Sequence, residues 1–402
     1  MMTTSHYIGI DVAKFTHVAA AVGADGGRIG APRPFANDAD GFAALDGWLA
    51  ALGATQASSL VAMEATGHYW MALWAHLDAA GWSVAVVNPI RTDAYRKVAS
   101  VRLTKTDEVD APMIAEFARA TGLSASGVSP EDSEGLRRLT RYRFHLVRDR
   151  TAYSNSALAL LDRVFPEYAA LFSQPLGPSS RALLSRCATP SEFLAADPEE
   201  LSEALRRASR GRLGRDRVDR VREAAARSVG VPFALDCLSF ELRHAVALIA
   251  ELDREVGELD AKISEVASRG PAALLRTVPG VGPTLAAVVA AEVGDPSRFA
   301  SPSKLFAYAG LDATVSQSGT RAGTAGAHVS KRGSSYLRWA LVQAADHARR
   351  RDPYFGDYYE AKRAQGKHHY VALIAVARKL CAVFLALMRE GRPYEPAPPA
   401  RR

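Results

Sequence analysis

Cysteine is scarce in this 402-residue chain: three residues, Cys187, Cys237 and Cys381, far apart and odd in number. No CxxC spacing and no Cys/His cluster occurs, which excludes a disulfide framework and a zinc site. The cysteines read as buried small hydrophobes. Unbroken apolar runs of about 18 residues are also missing, which argues against a membrane span. The start, MMTTSHYIGID, lacks a basic n-region and a cleavage site, so it does not read as a signal peptide. A bacterial, cytoplasmic and nucleoid-associated protein is expected. Tandem repeats are absent.

The net charge of +7 is unevenly spread. Residues 1–130 carry 9 Lys/Arg against 12 Asp/Glu, residues 131–270 carry 22 against 22, and residues 271–402 carry 19 against 9. A basic C-terminal third suits a polyphosphate partner, though a surface kept basic for solubility gives the same count.

Hydrophobic spacing predicts three strands over 6–37, a helix over 39–52, a strand over 58–65, a helix over 68–81, a strand over 82–89 and a helix over 107–120. That order makes 1–130 an α/β domain with a mixed sheet. Residues 131–270 read as helical, with a less regular stretch at 170–235 containing Pro175, Pro178, Pro190 and Pro198. Leu242, Val246, Ile249, Leu252, Val256, Leu259 and Ile263 form an apolar stripe. It fits a coiled-coil arm or ordinary bundle core equally well. Residues 271–392 form a mainly α domain, with helices over 334–349 and 369–389. The tail 393–402 is expected to be disordered.

Four acids stand out. Asp11 ends the apolar strand YIGI, Glu64 ends SLVAM, and Asp107 and Asp110 lie three apart, on one face of a helix. Each alone is an ordinary cap or turn residue. Gathered together they would repel one another unless cations intervened. Two Mg²⁺ ions, or Mn²⁺, would resolve the repulsion and clamp the oxygens of a phosphodiester in reaction. The order of these elements is the layout of RNase H-like nucleases.

In the basic third, PGVGPTLAAVVAAEVG reads as a helix-hairpin-helix or a plain helical hairpin. Gly280 and Gly282 would permit close backbone approach to a phosphate at the next helix N-terminus. Further on, glycines, hydroxyls, Lys331, Arg332 and Arg338 suit a segment lying against a phosphate backbone. Ser318 lies there, in Gln-Ser-Gly. From residues alone it reads as a linker serine, since no activating partner is identifiable. The helix RRLTRYRFHLVRDR (137–150), with Tyr142 and Phe144 among its arginines, is either an RNA or DNA face or a solvated basic helix.

The pieces YIGIDVAK, AMEATGHYW, VNPIRTDAYRK and KTDEVDAPMIAEFA resemble the N-terminal DEDD, RuvC-like domain of the IS one-ten insertion-sequence transposases, relatives of the Piv invertases. GLDATVSQSGTRAGTAGAHVSKRGSSYLRWAL resembles their C-terminal domain, with Ala313 where many members carry proline. The resemblance covers about 1–125 and 272–390. It implies Asp11, Glu64, Asp107 and Asp110 as metal ligands and Lys105 near the scissile phosphate. It also implies Ser318 as nucleophile, with Ser316 a weaker candidate. It further implies a phosphoserine link to DNA at element ends and target, a structured bridge RNA, and dimers pairing into tetramers. Alternatives are a Piv-type invertase, a RuvC-like junction nuclease using water, and a non-catalytic binding protein. A sugar-kinase-like ATPase would need phosphate-binding glycine loops, and 60–130 contains none.

Overall fold

A computed structural model describes residues 4–99, 107–125, 131–312, 329–331 and 333–396. The chain divides into two compact units, Met1–Val128 and Ser129–Arg402.

In the first unit short apolar runs bounded by turns form strands His6–Asp11 (β1), Thr16–Gly23 (β2), Arg28–Ala36 (β3), Ser59–Glu64 (β4) and Val84–Val87 (β5). They form one sheet of order β3-β2-β1-β4-β5. β2 is antiparallel to β1 and β3, while β4 runs parallel to both β1 and β5. The mixed α/β architecture expected from the sequence is therefore present. Ala39–Ala51 (α1) and Trp70–Ala79 (α2) cover one face, where Leu45, Leu49, Leu73 and Leu77 bury Ile8, Ile10, Val61 and Met63. Each such side chain contributes about 1.5–3 kcal/mol on leaving water.

Pro89–Ala99 (α3) is a helix the sequence did not announce. Its residues lack an apolar stripe. Pro89, read as a strand stop, is also the first helical residue, where its missing N–H is harmless. Asp107–Ala120 (α4) covers the second sheet face. There Ile114 and Ala118 meet Leu60, Ala62 and Ala85, and Ala111 meets Val18 and Ala20.

The second unit is helical. Glu131–Val164 (α5) pairs along its length with a later helix, Leu235–Val266, through Arg143–Asp260 and Arg150–Asp253. Those pairings make the two helices antiparallel. Between them the stretch expected to be irregular is a set of short helices: Pro178–Leu184 (α6), Pro190–Ala195 (α7), Pro198–Ser209 (α8) and Arg215–Ala226 (α9). Three of them begin on a proline, so those prolines are helix starts rather than breaks. The helix Leu235–Val266 (α10) carries the apolar stripe. Leu242, Val246 and Ile249 belong to the core of this middle bundle, while Ile263 belongs to the C-terminal core. The stripe thus serves as bundle core at both ends of the helix, for the middle bundle and for the C-terminal core.

The C-terminal core gathers Pro271–Leu275 (α11), Pro283–Val293 (α12), Pro302–Tyr308 (α13), Ser335–Ala348 (α14), Pro353–Ala364 (α15) and His369–Glu390 (α16). By length and composition α16 could cross a membrane, but Leu373, Val376, Leu380 and Phe384 are buried inside this core. Cys187 and Cys381 are buried as expected, whereas Cys237 is exposed, which corrects its reading as a buried hydrophobe. Burial pushes the Cys381 thiol up to about 12. Of the tail expected to be disordered, residues 397–402 lie outside the described residues. Tyr394 docks, its N–H on Thr277 Oγ1 at 2.8 Å and its hydroxyl on Asp352 Oδ2 at 2.8 Å.

Candidate active site

Strand alternation sets the first part of the site. Gly9 and Asp11 share one face of β1, and Leu60, Ala62 and Glu64 share the same face of β4. Ile10 pairs with Met63 in the parallel ladder, so Asp11 and Glu64 follow side by side at the ends of adjacent strands. That face is the one α4 covers. A Cβ on Gly9 would lie 2.2 Å from the Ala111 carbonyl oxygen and 2.3 Å from the Ala115 nitrogen. Only glycine allows this approach, and it brings Asp110, the residue before Ala111, down beside the strand ends.

Two side chains from α3 complete the arrangement. Thr92, fully buried, sets its hydroxyl 2.8 Å from Glu64 Oε2 and 2.9 Å from the Pro89 carbonyl oxygen. Thr66 donates to Glu64 Oε1 at 3.2 Å. One turn after Thr92, Arg96 brings Nη2 within 2.9 Å of Asp110 Oδ1. Asp110 is only 4% exposed, and a carboxylate that deep requires a compensating cation. The sequence reading missed Thr92 and Arg96. The signal was present, because an i,i+4 pair in a helix opened by proline shares one face. Among the described residues no three His, Cys, Asp or Glu side chains group closely enough to hold a metal ion. The side chain of Asp107 lies outside the described residues, as does Lys105.

In the second unit, Ser316, Ser318 and Arg332 lie outside the described residues. The chain on either side of 313–328 is tightly held. Ser330 donates its N–H to the Asp312 carbonyl at 2.8 Å, and its hydroxyl bonds the Asp312 carboxylate. Lys331 N–H reaches the Gly310 carbonyl and Ser334 N–H the Tyr308 carbonyl, at 3.1 and 3.0 Å. Lys331 is exposed and adopts φ of +53°. Arg338 is half-buried and donates to the Ala309 carbonyl at 3.1 Å.

Beneath these contacts is Glu292 on α12, fully buried. It accepts two bonds from Arg141, at 2.7 and 3.0 Å, and one from the Ser334 hydroxyl at 2.8 Å. The carboxylate holds the Arg141 guanidinium above its usual pKa. Ser334 also caps α14 by accepting from Leu337 N–H. Glu292 was legible only as the lone acid in an apolar helix, and nothing in the spacing named its partner.

Internal packing involves residues behind two of the nucleic-acid expectations. α11 and α12 do flank the PGVG turn, but a Cβ on Gly280 would lie 2.7 Å from the backbone of His347. The chain itself therefore explains Gly280. Gly282 has open space around it and precedes α12. On α5, Arg141, Arg143 and Arg150 are committed to Glu292, Asp260 and Asp253. Phe144 packs edge-on against Tyr336 and Trp339. Part of the expected RNA or DNA face is thus internal structure, while Arg138, Tyr142 and Arg148 are exposed.

A strand-end acid pair under an acid-bearing helix, in a chain with a basic C-terminal third, suits enzymes that cut nucleic-acid backbones. Comparison with known proteins narrows this. Residues 8–166 match the family profile described as "Transposase" under the name DEDD_Tnp_IS110, and residues 272–360 match "Transposase IS116/IS110/IS902 family". The chain is 29% identical to an insertion element IS116 protein of 44.8 kDa from Streptomyces clavuligerus, over 99% of both chains. It is 30% identical to an insertion element IS900 protein from Mycobacterium paratuberculosis, over 73% of both. It is 25% identical to the pilin gene-inverting protein of Moraxella bovis, over 97% of both. The chain belongs to the IS116/IS110/IS902 family of transposases, enzymes that cleave and recombine DNA.

Proposed function

We propose that this transposase moves an insertion sequence by Mg²⁺-assisted strand exchange through a phosphoserine intermediate. The observation that carries the reading is the placement of Asp11 and Glu64 at adjacent parallel strand ends, on the face where Gly9 admits α4 and Asp110. The sheet order β3-β2-β1-β4-β5 supports an RNase H-like domain. Asp11, Glu64, Asp107 and Asp110 are hard oxygen donors of the kind Mg²⁺ takes. The guanidinium held 2.9 Å from Asp110 fits a position where positive charge is wanted. Bound there, the ion would polarise the phosphate and stabilise charge developing on its oxygens. Ser318 Oγ attacks phosphorus, one P–O ester bond breaks, and the released strand end leaves with its hydroxyl. Lys105, Lys331, Arg332 and Arg338 hold flanking phosphates, and the α12 N-terminus after Gly282 takes another. A bridge RNA that chooses element ends and target, and dimers that pair into tetramers, rest on the family resemblance.

The test is a covalent adduct assay with element-end DNA, guide RNA and Mg²⁺, resolved on a denaturing gel. Wild type should yield a protein–DNA adduct. Asp11→Asn and Ser318→Ala should each abolish it while retaining DNA binding. An adduct that persists in Ser318→Ala overturns the nucleophile, and cleavage without any adduct points to water. Inversion of a fixed segment is a second reading, favoured by the near full-length match to a pilin gene-inverting protein. Product topology separates the two.

A further inference from the structure

We propose that Phe15, backed by Lys14, is a stacking platform for a nucleobase next to the phosphate on which the Asp11 site acts. The proposal rests on the nucleic-acid reading above. The segment Val12–Phe15 leaves the sheet directly after Asp11 and turns into β2. It is held at several points. Ala13 N–H donates to His17 Nδ1 at 3.2 Å, Asn37 Nδ2 donates to the Lys14 carbonyl at 3.2 Å, and Asn37 N–H donates to the Phe15 carbonyl at 2.9 Å. Val12 is buried in the sheet core, and His17 is fully buried between Phe35 and Phe42. These bonds fix the backbone of the turn, and the Phe15 ring is 73% exposed.

Single exposed apolar residues are common, but this one is placed unusually. Among the described residues of the first unit, the large hydrophobics left exposed are Phe15 and Val98. Phe15 follows Asp11, and Val98 follows Arg96 on α3. Apolar exposure in this unit thus falls on the two segments that carry site residues. Lys14 sets its ammonium over one face of the Phe15 ring, 4.8 Å from the centroid, and no carboxylate pairs with it among the described residues. This cation stands in the acidic part of the sequence, where 12 acids outnumber 9 bases. A flat apolar ring with an adjoining unpaired cation matches a base with its phosphate: the ring stacks and the ammonium takes the backbone charge. Every base has a π face, so such a platform would act without sequence preference and leave target choice to other contacts.

The test uses the full-length protein and a short oligodeoxythymidine carrying one 2-aminopurine, with a ribonucleotide version in parallel. Stacking quenches 2-aminopurine fluorescence. Wild type should quench it. Phe15→Ala should lose the quench and bind at least about fivefold more weakly. Phe15→Trp should restore both, and Lys14→Gln should flatten the salt dependence while keeping the quench. Equal melting temperatures identify the variants as folded. Quenching of the deoxy probe supports a base of the cut DNA strand, and quenching of the ribo probe alone overturns the proposed placement. Wild-type quench and affinity in Phe15→Ala, or no rescue by Trp, overturns the platform. Asp11→Asn should bind and quench normally while failing to cut. If Asp11→Asn cuts DNA, the functional reading fails while the stacking result stands by itself.

Discussion

Replacing Gly9 with alanine tests whether the contact between β1 and α4 sets the geometry of the acids. The added Cβ would meet backbone at 2.2 and 2.3 Å, from Ala111 and Ala115. Backbone cannot rotate away as a side chain does. Reaching an ordinary tight contact of 3.0–3.4 Å requires α4 to back off by about 0.8–1.2 Å. Overpacking of this kind costs about 1–3 kcal/mol. For a unit of this size that is a Tm fall of about 5–12 °C. The functional effect should be larger. Asp11 lies two residues beyond Gly9 and Asp110 one residue before Ala111, so the helix carries one acid away from the other by the whole displacement. A misplacement of about 1 Å costs on the order of 10²-fold in rate. The assay is cleavage of element-end DNA at a temperature where circular dichroism reports the variant folded. Gly47→Ala is the control, since Gly47 lies exposed in α1 with nothing within 4 Å of a new Cβ. It should gain about 0.5–1 kcal/mol and cut normally. A Gly9→Ala protein with wild-type Tm and wild-type cleavage would refute the argument.

Three further outcomes follow from the site. Arg96→Gln removes the cation beside buried Asp110. Its Tm should fall in EDTA and recover most of the loss in Mg²⁺, because a metal can replace the guanidinium; equal losses with and without Mg²⁺ would count against metal binding there. Glu292→Gln weakens two charge-assisted bonds to Arg141, and with Arg141 partly exposed a loss of about 1–2 kcal/mol is expected by chemical denaturation. Burial holds the His17 imidazole below its ordinary pKa, with a hydrogen bond to Asn37 pulling the other way. The fold therefore prefers neutral His17, and the unfolded chain takes up the proton first once pH falls below about 6.5. Stability contributed above that pH is lost on acidification. His17→Gln has no such titration, so its Tm deficit relative to wild type should shrink as pH is lowered from about 8 to about 5; a deficit constant with pH would show that His17 does not titrate in this range.

What was legible in the sequence was whatever obeys a short period. Short apolar runs bounded by glycine and proline named the five strands, and the acids that end two of those runs named Asp11 and Glu64. The helix carrying Asp110 was equally plain from its 3.6-residue spacing. What escaped were partners distant in sequence. Thr92 reaches Glu64 across 28 residues and Arg141 reaches Glu292 across 151, and no local pattern encodes either. The prolines at 178, 190 and 198 misled for a related reason. A proline breaks a helix interior but opens a helix at its first turn, and only the neighbouring fold decides which.

Charge shows the same divide, and it relocates the electrostatic footprint. The arginines of α5 looked like a nucleic-acid face when counted along the chain. In the fold, Arg143 and Arg150 fasten α5 to α10, and Arg141 fastens it to α12. Bound to carboxylates, they have little charge left for phosphate. The balance of residues 271–402, 19 bases against 9 acids, is not absorbed in this way. Lys331, Arg351 and Lys367 are exposed and have no carboxylate partner among the described residues. Counterion release scales with cations that reach phosphate, not with cations present. The salt slope of DNA binding should therefore fall when these three are neutralised and hold when Arg143 or Arg150 is. Arg141, Arg143 and Arg150, which look like part of a nucleic-acid face in the sequence, are residues the fold has used to hold itself together.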